Sequence, residues 1–224
     1  MKNRSFMLLA LLAANDRLGE PPVHRTMLVK QAFLAETIRP LYQLWVRTFG
    51  FVRYYYGPYS DEIFQRLDTL IFNGLVRVTM MERIGGKVEA RYQITGSGHR
   101  ALEHFRESEF VQLAVDLVWA LQALGVEQAG TICRLVYQEA EFARVFAQHS
   151  EQNLPPSAKV PLPAITETGN QTFATLAILQ ELQSRPWEHT DTKPQLPARE
   201  MVRLFLLSLA RQIPTTHSVG RSAR

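Results

Sequence analysis

The alternation of apolar and polar side chains around Gly85-Gly86 constrains the fold more than any other feature of this chain. Apolar residues occupy alternate positions over residues 76–80, and again over residues 88–94 after the two glycines. A period of two is typical of a half-buried strand, and a Gly-Gly pair favours a tight turn between antiparallel strands. The sequence therefore predicts a β-hairpin at this point.

Helical patterns lie on both sides of the predicted hairpin. Apolar residues spaced three and four apart predict four helices, over residues 5–14, 24–38, 60–72 and 95–105. Ser60 is a suitable N-cap for the third helix, and Asp61 and Glu62 lie in its first turn, where the helix dipole favours negative charge. We expect a turn over residues 53–59, whereas residues 41–52 fit either a helix or a strand.

Three helices, a two-stranded hairpin and one more helix follow the order of a winged helix, in which the hairpin is the wing. We therefore expect an α+β, mostly helical protein with a winged helix-turn-helix domain over residues 1–106. Amphipathic patterns after that point predict a helical C-terminal domain over 107–212, and 213–224 are expected to form a flexible tail. Within the second domain we expect a long helix over 110–124, helical structure over 129–148, a proline-rich loop over 151–170, and helices over 172–184 and 198–212.

Charge is unevenly divided along the chain, although the net charge is only +4. Residues 1–107 carry 15 Lys and Arg against 10 Asp and Glu, whereas residues 108–224 carry 10 against 11. The basic excess thus coincides with the predicted winged helix, which favours contact with a nucleic-acid backbone. The single cysteine, Cys133, excludes an internal disulfide framework and suits a reducing compartment.

The apolar segment over residues 6–14 follows Lys2 and Arg4, as in the first two regions of a signal peptide. Leu12 lies where a cleavage site needs a small residue, and polar sequence follows at once. We therefore favour a buried helix over a secretory signal. No apolar run is long enough for a transmembrane helix, and we expect a cytoplasmic protein.

Two motifs give the predicted winged helix a resemblance to known proteins. Residues 92–98, with the letters YQITGSG, are similar to the Tyr-x-Leu/Ile-Thr-x-x-Gly pattern that ends the wing in many bacterial winged-helix regulators. Residues 53–60, RYYYGPYS, resemble a segment of the YwgA-like proteins and of the related Panacea antitoxin or phage-associated families. Residues 25–34 are similar to the second helix of those families. The resemblance covers about residues 6–106 and implies a winged helix without known catalytic residues, associated with toxin neutralisation, prophages or mobile elements.

A winged helix that docks on DNA places its third helix in the major groove and its wing on the backbone or minor groove. Here the third helix has Arg66 as its only cation, while Asp61 and Glu62 would face the phosphates. We therefore expect DNA binding of low sequence specificity, dominated by contacts to the backbone. The residues predicted to bind nucleic acid are Lys30, Arg53, Arg66, Arg77, Arg83, Lys87 and Arg91.

A protein partner is the alternative that the sequence leaves open. The acidic start of the third helix, at Asp61 and Glu62, would then contact the partner, as in an antitoxin or adaptor. The long helix after residue 107 also has a second apolar side at Val111, Val115 and Trp119, which must be covered by later helices or by another subunit. A homodimer or a heteromeric complex is accordingly expected.

Enzyme activity is not expected, because the sequence has no metalloprotease, nucleophile-elbow or phosphate-loop motif. His99 and His104 would not share a helical face, and we expect no metal and no cofactor. Cys133 lies among apolar residues, as core thiols do. The tyrosines over residues 54–59 could stack on nucleobases beside Arg53, although we favour tyrosine rings packed on the core with their hydroxyls at its rim.

Overall fold

A computed structural model shows helices as the main elements, together with two small antiparallel sheets, and so confirms the α+β class. The part of the chain that the structure describes comprises residues 3–19, 22–42, 44, 49–54, 57–84, 87–103, 109–126, 129–138, 147, 155, 158–162 and 198–211. None of the helices in these ranges combines the length and apolar content needed to cross a bilayer.

The described helices are α1 (Asn3–Arg17), α2 (Arg25–Ile38), α3 (Asp61–Phe72), α4 (Gly96–Glu103), α5 (Glu109–Ala123), α6 (Ala129–Tyr137) and α7 (Ala198–Arg211), with a 3₁₀ turn at Arg39–Tyr42. The strands are β1 (Val23–His24), β2 (Val52–Tyr54), β3 (Gly57–Tyr59), β4 (Val76–Ile84), β5 (Lys87–Ile94) and β6 (Val160–Pro161). The predicted helix over residues 172–184 and the tail over 213–224 lie outside the described residues. So does the predicted domain boundary at 106/107, which stays a prediction.

The predicted hairpin is confirmed as the antiparallel pair β4–β5, in register from Val76↔Ile94 to Ile84↔Lys87. β1 adds to the free side of β5, giving a three-stranded sheet in the order β1-β5-β4. A bulge between Val78 and Met80, with Thr79 as the extra residue, interrupts the regular pairing of β4 with β5. Val78, which the pattern groups with buried Val76, is 41% exposed.

The segment before α3 forms a second hairpin rather than the simple turn predicted over residues 53–59. β2 and β3 pair from Val52↔Tyr59 to Tyr54↔Gly57, and β6 adds to the other side of β2. Gly57 adopts φ 110°, a conformation that a side chain would strain. This small sheet occupies the connection between α2 and α3, which is therefore much longer than the turn of a simple helix-turn-helix.

One cluster of buried apolar residues joins α1, α2, α5, α6 and α7. α1 lies at its centre, with an unbroken run of buried side chains from Phe6 to Leu12 that explains its nearly all-apolar sequence. α5 packs against both α1 and α7. Residues on the two sides of the predicted domain boundary thus bury their apolar surface against one another.

The motif at the end of the hairpin has a structural explanation. Thr95 donates its hydroxyl hydrogen to the Gly74 carbonyl at 2.7 Å and accepts from the Gly98 N–H at 3.1 Å, which caps α4. A Cβ at Gly98 would overlap the Leu75 carbonyl oxygen and the Ile94 side chain. Both polar and small residues of the motif therefore serve the close packing of α4 on the hairpin.

Glu36 of α2 is buried, and we expect it to make the stability of the fold sensitive to pH. Burial raises the pKa of Glu36 from its ordinary 4.5 to about 8, although the Phe49 N–H and the nearby Arg39 favour its charged form. Its second carboxylate oxygen, Oε2, is buried with no hydrogen-bond partner among the described residues. A carboxyl group in this setting is more stable in its protonated form.

The stability that neutral Glu36 contributes is fully present below about pH 4.5. It is expected to decrease steadily above that pH and to be lost as the pH rises through about 8. A Glu36→Gln variant, which is neutral throughout, should therefore gain up to about 3 kcal/mol over the wild type by pH 7 and nothing near pH 4.5. Urea unfolding of both proteins from pH 4.5 to 8.5 measures this difference. A difference in the free energy of unfolding that does not change with pH would contradict the assignment.

Candidate nucleic-acid interface

The exposed side of α3 is polar except for one aromatic residue. Ile63, Leu67 and Leu70 anchor the helix in the core. The exposed side chains of the helix and its last turn are those of Asp61, Gln65, Asp68, Thr69, Phe72 and Asn73. Amide and hydroxyl groups such as those of Gln65, Thr69 and Asn73 can hydrogen-bond to base edges or phosphates.

The sequence predicts that the Ser60 side chain caps α3. Ser60 does stand at the N-cap position in an extended conformation, but its side chain makes no capping hydrogen bond. Its hydroxyl instead donates a hydrogen bond to the Phe49 carbonyl, and the side chain is 2% exposed. The hydroxyl is thus used to hold the start of α3 on the segment before β2. A local capping pattern could not reveal this contact, because Phe49 is 11 residues away.

Both carboxylates in the first turn of α3 are paired with cations. Glu62 forms ion pairs with Arg4 of α1 and, at 2.9 Å, with Arg66 one turn later. Asp61 forms an ion pair with Lys159 at 2.7 Å. Three cations therefore surround two carboxylates at this end of the helix, where the sequence alone indicates an acidic surface.

The pKa values of these carboxylates follow from the pairing. Hydrogen bonds from Lys159 and Tyr59 lower the pKa of Asp61. Partial burial opposes ionisation of Glu62, but hydrogen bonds from Arg4 and Arg66 outweigh it and lower the pKa of Glu62. Both groups are consequently charged, and compensated, at neutral pH.

Two of the predicted nucleic-acid-binding cations lie in the interior. Lys30 is 4% exposed and donates a hydrogen bond to the Pro58 carbonyl at 2.7 Å, and burial lowers the pKa of Lys30 to about 8. Arg53 is 6% exposed. The structure thus corrects the expectation that these two side chains are available at the surface, because α2 and the β2–β3 hairpin enclose them.

The remaining predicted cations belong to the β4–β5 hairpin, apart from Arg66. Arg77 is exposed and donates a hydrogen bond to Gln93 of β5 at 2.9 Å. Arg91 is half-buried. The backbone register places Arg83 opposite Val88 and next to the Ile84↔Lys87 pair, so Arg83 and Lys87 stand at the turn end of the hairpin.

The described tyrosines before α3 pack against each other and against Phe64 with tilted rings. The ring centroids of Tyr54 and Tyr59 are 5.1 Å apart, and those of Tyr59 and Phe64 are 5.4 Å apart. The Tyr59 hydroxyl donates to Asp61 at 2.9 Å. Both tyrosines are half-buried, in agreement with rings that pack on the protein while their edges reach solvent. Tyr55 and Tyr56 lie outside the described residues.

The second apolar side of α5 is partly covered within the same chain. Val111, Val115 and Trp119 are half-buried against the core, and the Arg199 guanidinium of α7 lies 3.9 Å from the Trp119 ring centroid. Buried Asp116 faces the same arginine at 3.6 Å. α7 therefore covers Trp119, whereas Val111 and Val115 line a cavity together with residues of α1 and α4. A homodimer stays a prediction.

Few titratable groups come together elsewhere in the described part of the chain. His99 and Asp16 form a pair at 2.9 Å, joining α4 to α1, and the pKa of Asp16 is lowered by hydrogen bonds from Gln93 and His99. Burial raises the pKa of Cys133, which disfavours its nucleophilic thiolate. Among the described residues no three His, Cys, Asp or Glu side chains are placed to hold a metal ion.

No protein-family model matches the chain, and no curated protein matches it significantly.

Proposed function

We propose that this chain is a non-enzymatic winged-helix protein that binds DNA with low sequence specificity. α3 would lie in the major groove, and the β4–β5 hairpin would serve as the wing against the backbone. The order of α3 and the hairpin, and the addition of β1 to β5, support the winged-helix interpretation. The long connection between α2 and α3 departs from the simplest form of that fold.

The pairing of the α3 carboxylates carries the proposal. Unpaired Asp61 and Glu62 side chains would repel the DNA phosphates. Attraction between protein cations and these phosphates supplies most non-specific affinity for DNA. Arg4, Arg66 and Lys159 remove this obstacle, since together they exceed the two carboxylates by one charge. The positive N-terminal end of the helix dipole adds to the attraction for phosphate.

A charge-insertion variant tests whether α3 faces DNA. Gln65→Glu/Thr69→Glu places two negative charges on the exposed side of the helix, and we expect at least a roughly tenfold loss of affinity for a random-sequence duplex. Fluorescence anisotropy at low salt measures the binding.

The matched control is Arg134→Glu, which changes the net charge by the same amount at an exposed position of α6. This control should weaken binding much less than the α3 variant. Equal losses for the two variants would show that only total charge matters, and would contradict an interface at α3.

A partner protein is the second candidate, favoured by the exposure of Phe72. This side chain is 91% exposed at the last position of α3, and Val78 of β4 is 41% exposed. A large aromatic side chain in such a position can anchor an interface by filling an apolar pocket of a partner. The alternative function is therefore an antitoxin-like or adaptor module that uses the C-terminal end of α3.

A Phe72→Ser variant is expected to keep the wild-type free energy of unfolding to within about 0.5 kcal/mol, because the ring contributes little to the core. If the protein acts through a partner, the variant should no longer form a stoichiometric complex on co-expression with the product of the adjacent gene. Size-exclusion chromatography of the co-expressed pair measures this. An unchanged complex would exclude Phe72 as the anchor.

A further inference from the structure

A cavity of about 250 Å³ lies between α2, the β2–β3 hairpin and α3. Phe64 is the α3 residue that lines it, and the exposed side of α3 is not part of the cavity. One wall is formed by the rings of Tyr54, Tyr59 and Phe64, which pack against one another at interplanar angles of 45° and 38°. Pockets for drug-sized ligands begin at about 300 Å³, so this cavity suits one planar ring with the rest of its molecule at the mouth.

Three cations surround this aromatic wall. The Arg25 guanidinium lies 3.8 Å from the Phe64 ring centroid, and the Lys159 ammonium lies 5.3 Å from that of Tyr59. Lys30, buried as described above, also lines the cavity.

Arg25 and Lys159 are exposed, whereas Lys30 is enclosed. Among the described residues, Asp61 is the one carboxylate that pairs with any of these three cations. The local charge is therefore clearly positive. The exposed Asp61–Lys159 pair is of a kind that contributes little free energy, so Lys159 can turn to an anionic ligand at small cost.

From this combination we infer that the cavity binds a nucleotide, with the base against the aromatic wall and the phosphate at Arg25 and Lys159. Stacking on tyrosine or phenylalanine accepts any base, because every base has a π-face. Arg25, which lines the cavity, and Lys159, which lies beside the Tyr59 ring, can supply charge-assisted hydrogen bonds to phosphate. The cavity does not include the exposed side of α3, although the proposed nucleotide site shares Lys159 with the proposed duplex interface.

Two sources could provide such a nucleotide: a free nucleoside monophosphate, or an unpaired nucleotide within a DNA strand. Both present the same base and phosphate. They differ in the number of phosphates that the surrounding cations can contact. A free nucleotide presents one phosphate group, whereas a strand also presents the phosphates of the neighbouring nucleotides.

Isothermal titration calorimetry of the full chain tests the inference with AMP, CMP and an eight-residue oligothymidylate as probes. Ribose 5-phosphate and adenosine serve as probes that lack the base or the phosphate. We expect AMP and CMP to bind at least about tenfold more tightly than ribose 5-phosphate, because stacking supplies the difference. Affinity of the oligonucleotide far above that of the monophosphates would identify a strand as the source, whereas similar affinities would identify a free nucleotide.

Substitutions at the cavity test whether AMP binds there. Tyr59→Leu removes a stacking ring and should weaken AMP binding about tenfold, whereas Tyr59→Phe should retain it. Lys159→Ala, at an exposed position that leaves the core intact, should weaken AMP binding but not adenosine binding.

Arg203→Ala, which removes an exposed cation from α7, is the control and should bind AMP as the wild type does. The absence of nucleotide binding by the folded wild type, or AMP binding that Tyr59→Leu and Lys159→Ala leave unchanged, would overturn the inference. Neither result depends on duplex binding, which the α3 variant tests separately.

Discussion

Replacing Gly98 with alanine is expected to lower the free energy of unfolding by about 3 kcal/mol or more. The added methyl group would overlap the Leu75 carbonyl oxygen and the Ile94 side chain, and a backbone atom cannot move aside cheaply. Alanine is intrinsically favoured over glycine in a helix by about 1 kcal/mol, so the overlap must exceed this gain before any loss is seen. We expect it to do so clearly.

Gly96→Ala in the same helix provides the control. A Cβ at Gly96 would approach only the end of the flexible Arg100 side chain, at 3.8 Å. This variant should unfold at the wild-type denaturant concentration or slightly above it, whereas Gly98→Ala should unfold at a much lower one. Equal midpoints in urea unfolding would mean that α4 is not packed on the hairpin as described.

The largest expected effect on function comes from the cations of the proposed wing. Removing Arg83, Lys87 and Arg91 together by alanine substitution should weaken binding to a random-sequence duplex by tenfold or more near 0.1 M salt. Each lost phosphate contact should also reduce the salt dependence, so the slope of log K against log salt should become shallower by up to about 3. Anisotropy titrations over a range of salt concentrations measure both quantities.

The matched control for this triple variant is Arg134→Glu/Arg203→Ala, which removes the same net charge from exposed positions on α6 and α7. Its salt slope should stay close to that of the wild type. Arg91 is half-buried, so the double variant Arg83→Ala/Lys87→Ala keeps the test valid if the triple variant is unstable. If neither the triple variant nor the Arg83→Ala/Lys87→Ala variant changes the salt slope, the hairpin does not contact phosphates.

Local patterns predicted the elements well where one face is buried and the other is not. The β4–β5 hairpin and α3 agree with the period-two and period-3.6 patterns, and α2 begins and ends within one residue of the prediction. The β2–β3 hairpin was not predicted, because β2 and β3 contain only three residues each. A period cannot be recognised over three residues.

The candidate site was harder to predict because distant residues determine its charge. Arg4 lies 58 positions before Glu62, and Lys159 lies 98 positions after Asp61. Composition can count these cations, but only the folded chain brings them to the start of α3. The burial of Lys30 was equally invisible, since the β2–β3 hairpin that covers it was not predicted.

The salt dependence of duplex binding by the wild-type chain tests the proposed function most directly. Anisotropy of a labelled random-sequence duplex should show binding at 50 mM salt that weakens steeply, with log K falling linearly against log salt by about 0.9 for each phosphate contacted. Little preference among duplex sequences is expected. Failure of the folded protein to bind at 50 mM salt, or binding that does not change between 50 and 200 mM, would contradict a DNA-binding function.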